Sequence, residues 1–461
     1  MKTRLEFDSI GAMHVPKNAY FGVHTVRAVE NFPITGVKLS HFPDFIRALA
    51  MVKRAAAKAN AELGSIDQER ADWIAAACQD LIDGQYHDAF VVDMIQGGAG
   101  TSTNMNANEV IANVAAQKAG RPLGIYDYIH PNDHVNCSQS TNDVYPTAIR
   151  LAVLFKSRRL IEEQHQLLAA FSRKAEEFSD IRKVGRTQLQ DAVPMTVGRE
   201  FASYAAALTE EITRLEDLSK ILRVVNLGGT AIGTGINTPK GYAQTAVRHL
   251  SDISGQDLSC ASDLVDASSD MGALVSYSGL LRRVAIKISK ICNDLRLLSS
   301  GPRAGIGEII LPAVQAGSSI MPGKVNPVIP EVVSQVAYQV VGNDVTITMA
   351  AEAGQLQLNA MEPVIAYNLL ETMRILENAM RTLRVRCIDG IQVDRERCEE
   401  LFAGSLILAT ALVPHLGYEA SAKIAKEAQR RRCSIEAMVV EQGVMTTDQF
   451  QETIRKSLEQ L

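Results

Sequence analysis

The sequence predicts a mainly α-helical protein with a long central helix bundle, and three observations support this class. Apolar residues recur at helical spacing over long stretches, and strand patterns are sparse throughout. One stretch also repeats apolar residues every seven positions, at Phe201, Leu208, Leu215 and Leu222. This is the spacing of helices that pack lengthwise. A chain of 461 residues, of which 46% are hydrophobic, is long enough to bury a large core.

The amino-terminal region combines short helices with turn-rich segments. An Ala-rich stretch at 45–63 and a second stretch at 101–119 each end directly before a glycine, which is a common helix stop. We therefore predict a helical amino-terminal domain over residues 1–139.

The central region changes to long amphipathic stretches. They predict five bundle helices, over residues 149–178, 201–225, 273–298, 330–349 and 363–385. The stretch 332–343 carries no charge. A helix that is apolar on so many sides is buried on most of them, so we expect an obligate oligomer whose subunits share a core. The central domain is predicted over residues 140–395.

The helices shorten after about residue 393, which predicts a small carboxy-terminal helical domain over residues 396–461. Ser434 and Thr447 are candidate N-caps, and Gly443 is placed to end the helix between them. No linker rich in Pro, Gly or Ser divides the chain, so all these boundaries depend on changes of pattern.

Charge and hydropathy exclude several classes of function. The formal net charge of −5 gives no reason to expect a nucleic acid or an anionic membrane as partner. No apolar stretch is long enough for a membrane span, and the amino terminus has no secretory pattern. Seven cysteines without CxxC spacing favour reduced thiols over disulfides or a zinc site. We expect a cytoplasmic protein that acts on a small molecule.

Four polar, glycine-containing segments lie between the predicted helices. They cover residues 97–109, 131–143, 185–196 and 317–327. Each is too long and too rich in hydroxyl and amide side chains for a simple turn. The first could bind a ligand through backbone N–H groups, but it lacks the lysine of a phosphate loop. A purely structural glycine-rich loop explains it equally well.

The second segment places Ser140, Thr141 and Asn142 at the predicted N-terminus of a helix. Free N–H groups and the positive end of the helix dipole favour a carboxylate there. A simple N-cap is the alternative, although a cap needs only one of the three residues. His130 and His134 lack a second pair at metal spacing, which favours structural histidines over metal ligands.

The fourth segment has paired serines, Ser318 and Ser319, between Gly317 and Gly323, and Lys324 follows. Such a loop can close over a site as a lid. A serine hydroxyl acts as a base only if N–H donors and a nearby cation stabilise its alkoxide, and Lys324 is the local candidate for that cation. A flexible loop with a surface lysine is the alternative. The third segment is a weak indication by itself.

Together the four segments closely resemble the aspartase/fumarase superfamily, whose signature residues 317–326 match essentially residue for residue. The resemblance covers nearly the whole chain, including the stretches 20–25, 226–235 and 362–365. It implies three mainly helical domains and a homotetramer in which each active site takes residues from three subunits. It also implies a β-elimination that yields fumarate or a fumaryl product. No organic cofactor is called for, and no acidic cluster indicates a required metal.

Within this superfamily the sequence is more similar to the aspartase branch than to class II fumarases. Fumarases typically carry His where Gln188 stands, paired with a Glu at the position of Glu331, and Gln188 cannot titrate. Elimination of water requires protonation of a poor leaving group, whereas an ammonium substituent leaves already protonated. The resemblance therefore implies reversible conversion of L-aspartate to fumarate and ammonia. A class II fumarase and a catalytically silent homologue with a structural role are the alternatives.

The resemblance also implies a role for each candidate site residue. Ser318 would be the base that takes the C3 proton, with Lys324 as the neighbouring cation. Four hydroxyl residues would hold the β-carboxylate: Thr101, Ser140, Thr141 and Ser319. Three polar residues would surround the amino group: Asn142, Thr187 and Gln188. Two residues of the fourth segment would hold the α-carboxylate: Lys324 and Asn326.

Overall fold

The computed structural model describes residues 2–459, and this part of the chain is mainly helical, as predicted. The α-helices within it are α1 (Val23–Asn31), α2 (Pro43–Glu62), α3 (Gln68–Ile82), α4 (Thr101–Lys118), α5 (Thr141–Glu177), α6 (Val197–Ser219), α7 (Tyr242–Ser254), α8 (Gly272–Leu298), α9 (Val328–Glu352), α10 (Glu362–Arg386), α11 (Arg395–Gly404), α12 (Leu408–Ala411), α13 (Val413–Leu416), α14 (Tyr418–Arg431), α15 (Ile435–Glu441) and α16 (Thr447–Glu459).

The strands of the described residues are short and form four two-stranded pairs. They are β1 (Thr3–Asp8) with β2 (Gly11–Pro16), β3 (Arg182–Thr187) with β4 (Gln190–Thr196), β5 (Val224–Val225) with β6 (Ser259–Cys260), and β7 (Ile309–Ile310) with β8 (Gln392–Val393). The pair β5 with β6 is parallel and the others are antiparallel. None of the described helices is long and apolar enough to cross a membrane.

The five predicted bundle helices are confirmed as α5, α6, α8, α9 and α10. The predicted end of the second was wrong, because the α-helix stops at Ser219 and the chain continues through one 3-10 turn into β5. The heptad pattern runs past this point because Leu222 and Val225 are also buried. Ser434 caps α15 and Gly443 follows it with φ 65°, as predicted.

The predicted N-cap of the last helix was wrong by one residue. The hydroxyl of Thr446, not that of Thr447, accepts the N–H of Gln449 at 3.2 Å. The Gln449 side chain in turn accepts the N–H of Thr446 at 2.9 Å. This reciprocal pair is a capping box, which needs an amide or carboxylate side chain three residues after the cap.

The chain folds as two compact units, each built from three segments. Unit 1 comprises residues 1–161, 214–283 and 339–375, and unit 2 comprises residues 162–213, 284–338 and 376–461. The division into three domains at 1–139, 140–395 and 396–461 stays a prediction.

In unit 1, α4 is buried on nearly every side although it carries many polar residues. Its N-cap is Gly100, whose φ of 92° suits glycine, and a side chain there would collide with the ring of Tyr145. Its buried Glu109 carboxylate accepts N–H groups from the turn that begins α1, at Gly22, His24 and Thr25. Burial raises the pKa of Glu109 to about 7, and these hydrogen bonds oppose the rise.

The long helices of unit 1 are joined by buried polar contacts as well as by apolar packing. Tyr277 on α8 donates its hydroxyl to Ser157 on α5 at 2.6 Å. Ser278, also on α8, donates to the buried Asp344 of α9 at 2.7 Å. In unit 2 the aromatic ring of Phe171 on α5 packs against Phe201 on α6. These contacts fix the register of neighbouring helices, because each buried polar group needs its partner.

The carboxy-terminal helices of unit 2 form an apolar core of their own. Phe402, Leu412 and Phe450 are buried in it, together with Val184 from β3. The hairpin of β3 and β4 is therefore anchored at its base by apolar packing.

Candidate active site

The predicted site residues divide between the two units. Four lie in unit 1: Thr101, Ser140, Thr141 and Asn142. Six lie in unit 2: Thr187, Gln188, Ser318, Ser319, Lys324 and Asn326. Each group is described within its own unit.

In unit 1, Thr101 is the first residue of α4 and is exposed. Its hydroxyl donates to the carbonyl oxygen of Gly98 at 2.7 Å. It must rotate away from that carbonyl before it can donate to a carboxylate. In the first helical turn the N–H of Thr101 donates to the carbonyl of Gly98 and that of Thr103 to Gln96 Oε1, so these two groups are already paired within the protein.

The hydroxyls of Ser140 and Thr141 lie at the N-terminus of α5. Ser140 Oγ accepts the N–H of Asn142 at 3.3 Å, so Ser140 does serve as a cap. Thr141 Oγ1 instead accepts from the side chain of Asn104 at 3.1 Å. The N-cap alternative therefore accounts for one residue of the three. Both oxygens act as acceptors within the protein, which leaves both hydroxyl protons to donate to an anion.

Asn142 is oriented by the glycine-rich stretch 226–235. Its side-chain N–H donates to the carbonyl of Ala231 at 2.7 Å, so its amide oxygen stays available as an acceptor. Such an oxygen suits an ammonium group. Sequence analysis used the stretch 226–235 only for the family resemblance and did not predict this contact.

The buried Asp143 ties the same stretch to the start of α5. Its carboxylate accepts three backbone N–H groups, from Ser140 at 2.9 Å, Gly228 at 2.9 Å and Thr230 at 3.2 Å. Burial raises the pKa of Asp143, and the hydrogen bonds and the charge of Lys53 oppose the rise. Gly228 has φ 93°, and a side chain there would collide with Ala243. The turn that presents Ser140 is thus held by groups far away in sequence.

In unit 2, the loop 317–327 supplies the N–H donors that a serine base needs. Ser318 Oγ accepts the backbone N–H of Ile320 at 3.2 Å and that of Met321 at 3.3 Å. A side chain at Gly317 would overlap the carbonyl of Lys324, so glycine is required where the two ends of the loop meet. These donors would stabilise an alkoxide as an oxyanion hole does. Sequence analysis predicted the need for such donors but not which amides supply them.

A cleft of about 520 Å³ lies beside this loop in unit 2. It is lined by Lys324 and Asn326 from the loop, and by Asn293 and Arg296 from α8. Lys324 and Arg296 are two cationic side chains of this lining, and they favour a carboxylate ligand. Glu331, the carboxylate singled out in the sequence, lies on the same cleft. Sequence analysis missed Arg296, because one arginine near the end of a helix is common on any protein surface.

Thr187 and Gln188 lie at the tip of the hairpin of β3 and β4, which the sequence did not predict as strands. The turn between the strands is Gln188 and Leu189, with φ 53° and 62°. Two-residue hairpin turns of this kind usually contain Asn or Gly, since a left-handed residue with a side chain costs about 1 kcal/mol or more. Strain of this kind is concentrated at functional sites.

Ion pairs hold the base of the hairpin. Glu308 is fully buried, and its carboxylate lies 2.9 Å from Lys183 Nζ and 2.8 Å from Arg186 Nη1. Lys183 is also buried and pairs with Glu200. Both cations belong to β3, so Glu308 fixes the strand that ends at Thr187. Sequence analysis did not single out Glu308.

Histidines and acidic residues do not gather as metal ligands in residues 2–459: no group of three or more His, Cys, Asp or Glu side chains is placed to hold an ion there. His130 and His134 instead accept backbone N–H groups through their Nδ1 atoms. Burial also lowers the pKa of His134. These contacts agree with the structural role favoured from the sequence.

Two family models match the chain. The model described as "Lyase" matches residues 11–342, and that described as "Fumarase C C-terminus" matches residues 408–457. Among curated relatives, the aspartate ammonia-lyase of Pseudomonas aeruginosa is 58% identical over 427 residues, which are 92% of this chain and 90% of that protein. The aspartate ammonia-lyase of Escherichia coli K12 is 52% identical over 444 residues, 96% and 93% of the two chains.

Solved structures agree with these matches. A fumarate lyase:delta crystallin from Brucella melitensis, bound to cobalt, superposes with a TM-score of 0.96 at 56% identity and covers 98% of both chains. A recombinant class II fumarase from Schistosoma mansoni gives a TM-score of 0.92 at 34% identity, also over 98% of both chains. The fold is thus common to both kinds of protein, whereas the sequence identity is higher to the aspartate ammonia-lyases.

Proposed function

The chain belongs to the lyase family that aspartate ammonia-lyases share with class II fumarases, and from this premise we propose that it catalyses the reversible elimination of ammonia from L-aspartate to give fumarate. It is a carbon–nitrogen lyase, as are its relatives at 51–58% identity over nearly the whole chain. The choice of ammonia over water as the leaving group rests on Gln188 at the hairpin tip, because its side chain has no titratable proton.

Ser318 begins the reaction by taking the C3 proton of aspartate. The electron pair of the C3–H bond is delocalised into the β-carboxylate, which becomes a dianionic enediolate. This charge must be stabilised where it develops. Three hydroxyl groups donate hydrogen bonds to it: Thr101, Ser140 and Thr141. Ser319 is a fourth donor, from the loop. The two backbone N–H groups on Ser318 Oγ support this assignment, because they lower the cost of its alkoxide.

The second step breaks the C2–N bond. The enediolate pair forms the C2–C3 double bond, and nitrogen leaves with its bonding pair as neutral ammonia, because it entered as ammonium. Asn142, Thr187 and Gln188 surround the nitrogen as neutral polar partners. Lys324 and Asn326 hold the α-carboxylate throughout. This chemistry requires no organic cofactor.

The substrate test compares two acids on the same pure protein. We expect rapid fumarate formation from L-aspartate and negligible formation from L-malate, measured by ultraviolet absorbance at equal concentrations. A rate from L-malate equal to or above that from L-aspartate would make the protein a fumarase. No product from either acid would indicate the silent homologue.

The assembly that we propose is a homotetramer with sites shared between subunits, in the cytoplasm. Its support is the apolar surface of α9, which a single chain leaves uncovered. Four large apolar residues of this helix are more than 40% exposed: Val332, Tyr338, Val345 and Met349. The seven free cysteines support the location.

Light scattering of the purified protein tests the assembly. The expected mass is four times that of the 50.1 kDa chain. A stable monomer with full activity would contradict this assembly, since such a monomer needs neither the tetramer nor a shared site.

A further inference from the structure

Asn104 lies in the first turns of α4, buried in unit 1, and contacts a proposed substrate-binding residue without touching solvent. Its side-chain nitrogen is 3.1 Å from Thr141 Oγ1 and 3.1 Å from Asn136 Oδ1. It is therefore placed between a hydroxyl of the site and a second buried amide.

Lys53 fixes the orientation of that second amide. Its side-chain nitrogen donates to Asn136 Oδ1 at 2.8 Å, while Asn136 Nδ2 donates to the carbonyl of Gln139 at 3.2 Å, so the atom facing Lys53 is the amide oxygen. The side-chain nitrogen of Asn108 also donates to this oxygen, at 3.2 Å. Because Asn136 presents its oxygen, Asn104 must present its nitrogen to it.

The same nitrogen then faces Thr141, whose hydroxyl has one proton and two lone pairs. A lone pair is occupied by Asn104, so the proton is free to point elsewhere. The hydroxyl lies at the N-terminus of α5, where an anion is favoured. The direction of the Thr141 proton is thus constrained by a series of buried side chains that runs from Lys53 through Asn136 to Asn104.

Burying these charged and polar groups destabilises the fold, which argues that the arrangement serves more than packing. Lys53 is fully buried, and burial lowers its pKa to about 7, while the charge of Asp143 opposes that change. A buried ammonium group loses its hydration, and an apolar side chain of equal size would avoid this desolvation penalty. The amide oxygen of Asn104 also has no partner among the described residues.

We propose that Asn104 is a positioning residue that holds the Thr141 hydroxyl with its proton directed at the substrate β-carboxylate, and that Lys53 and Asn136 hold Asn104 in the required orientation. The inference rests on the proposed function, since the carboxylate that Thr141 receives is that of aspartate. It makes the buried amides of α4 determinants of carboxylate affinity.

The test is a double-mutant cycle between Asn104→Ala and Thr141→Val. Asn104→Ala should raise KM for L-aspartate about ten-fold with a smaller fall in kcat, because the carboxylate is held in the ground state as well as in the transition state. The double variant should have the KM of Thr141→Val alone, since Asn104 acts only through that hydroxyl. Additive effects, or a KM for Asn104→Ala within two-fold of the parent, would overturn the proposal.

A matched control separates this role from loss of a buried amide. Asn106 lies two residues further along α4, equally buried, and its side chain bonds to the backbone of Ala89 and Val91. Asn106→Ala should lower the melting temperature but leave KM unchanged. If Asn104→Ala does not fold, Asn104→Asp keeps the volume and replaces the donor by an acceptor. It should raise KM at least as much, because the carboxylate would take the Thr141 proton, and an unchanged KM would count against the proposal.

Equilibrium binding of succinate, a non-reactive dicarboxylate, distinguishes failure of the proposed function from failure of the positioning role of Asn104. A parent that binds succinate but releases no ammonia from aspartate would contradict the proposed function alone. The positioning role would then stand if Asn104→Ala weakens succinate binding about ten-fold, and fall if it does not.

Discussion

Replacing Ser318 by alanine is expected to reduce turnover of L-aspartate by about 10³-fold or more, with equilibrium binding of succinate nearly unchanged. The substitution removes the proton acceptor together with the two N–H contacts that its oxygen receives from Ile320 and Met321. General acid–base groups are worth about 10² to 10⁴-fold, which sets the size of the expected loss. The carboxylates of the ligand are held by other residues, so binding should survive.

Lys324→Ala is the informative comparison, assayed on folded protein of the same oligomeric state. In the proposed mechanism it removes a charge that holds the α-carboxylate in the ground state as well as in the transition state, so binding and rate should both weaken. If Ser318→Ala kept a tenth or more of the parent turnover, the base would lie elsewhere.

Replacing Glu308 by alanine is expected to destabilise the protein by about 3–5 kcal/mol and to abolish most activity. The carboxylate is fully buried between Lys183 and Arg186, and its removal takes an ion-pair partner from both cations of β3, although Lys183 keeps Glu200. The same strand carries Thr187 at its end, so the hairpin tip should lose its fixed position. Urea unfolding at one fixed protein concentration measures the first effect, and ammonia release measures the second.

An exposed ion pair on the same strand provides the control. Arg182 pairs with Glu399 at 2.8 Å, with both side chains partly in solvent. Glu399→Ala should cost less than about 1 kcal/mol, since solvent screens such pairs. A loss of comparable size in the two variants would show that burial of Glu308 has no special weight.

The helical framework could be predicted because it follows from local pattern. Periodic apolar residues identified all five bundle helices. The errors lay at helix ends, where a 3-10 turn follows α6 and a capping box begins α16. The hairpin of β3 and β4 could not be predicted in this way. Its turn is Gln188 and Leu189 rather than Asn and Gly, and its strands are held by partners more than 100 residues away, such as Glu308.

The candidate site likewise contains residues that could be predicted from the sequence and residues that could not. Its first contacts with substrate were assigned by family resemblance, and they stay a prediction. The residues that support them were not predicted: Asn104, Asn136, Glu308 and Arg296. Buried amides and ion pairs have no local pattern, because their partners are chosen by tertiary packing.

The central claim, that nitrogen rather than oxygen is added to and removed from C2, is tested most directly in the direction of synthesis. Fumarate is incubated with the protein in D₂O, with and without ammonium, and the products are followed by proton NMR. With ammonium, the account predicts aspartate that carries one deuteron at C3, on one face only, and without ammonium it predicts unchanged fumarate. Malate appearing in the sample without ammonium, at a rate similar to that of aspartate in the other, would contradict it.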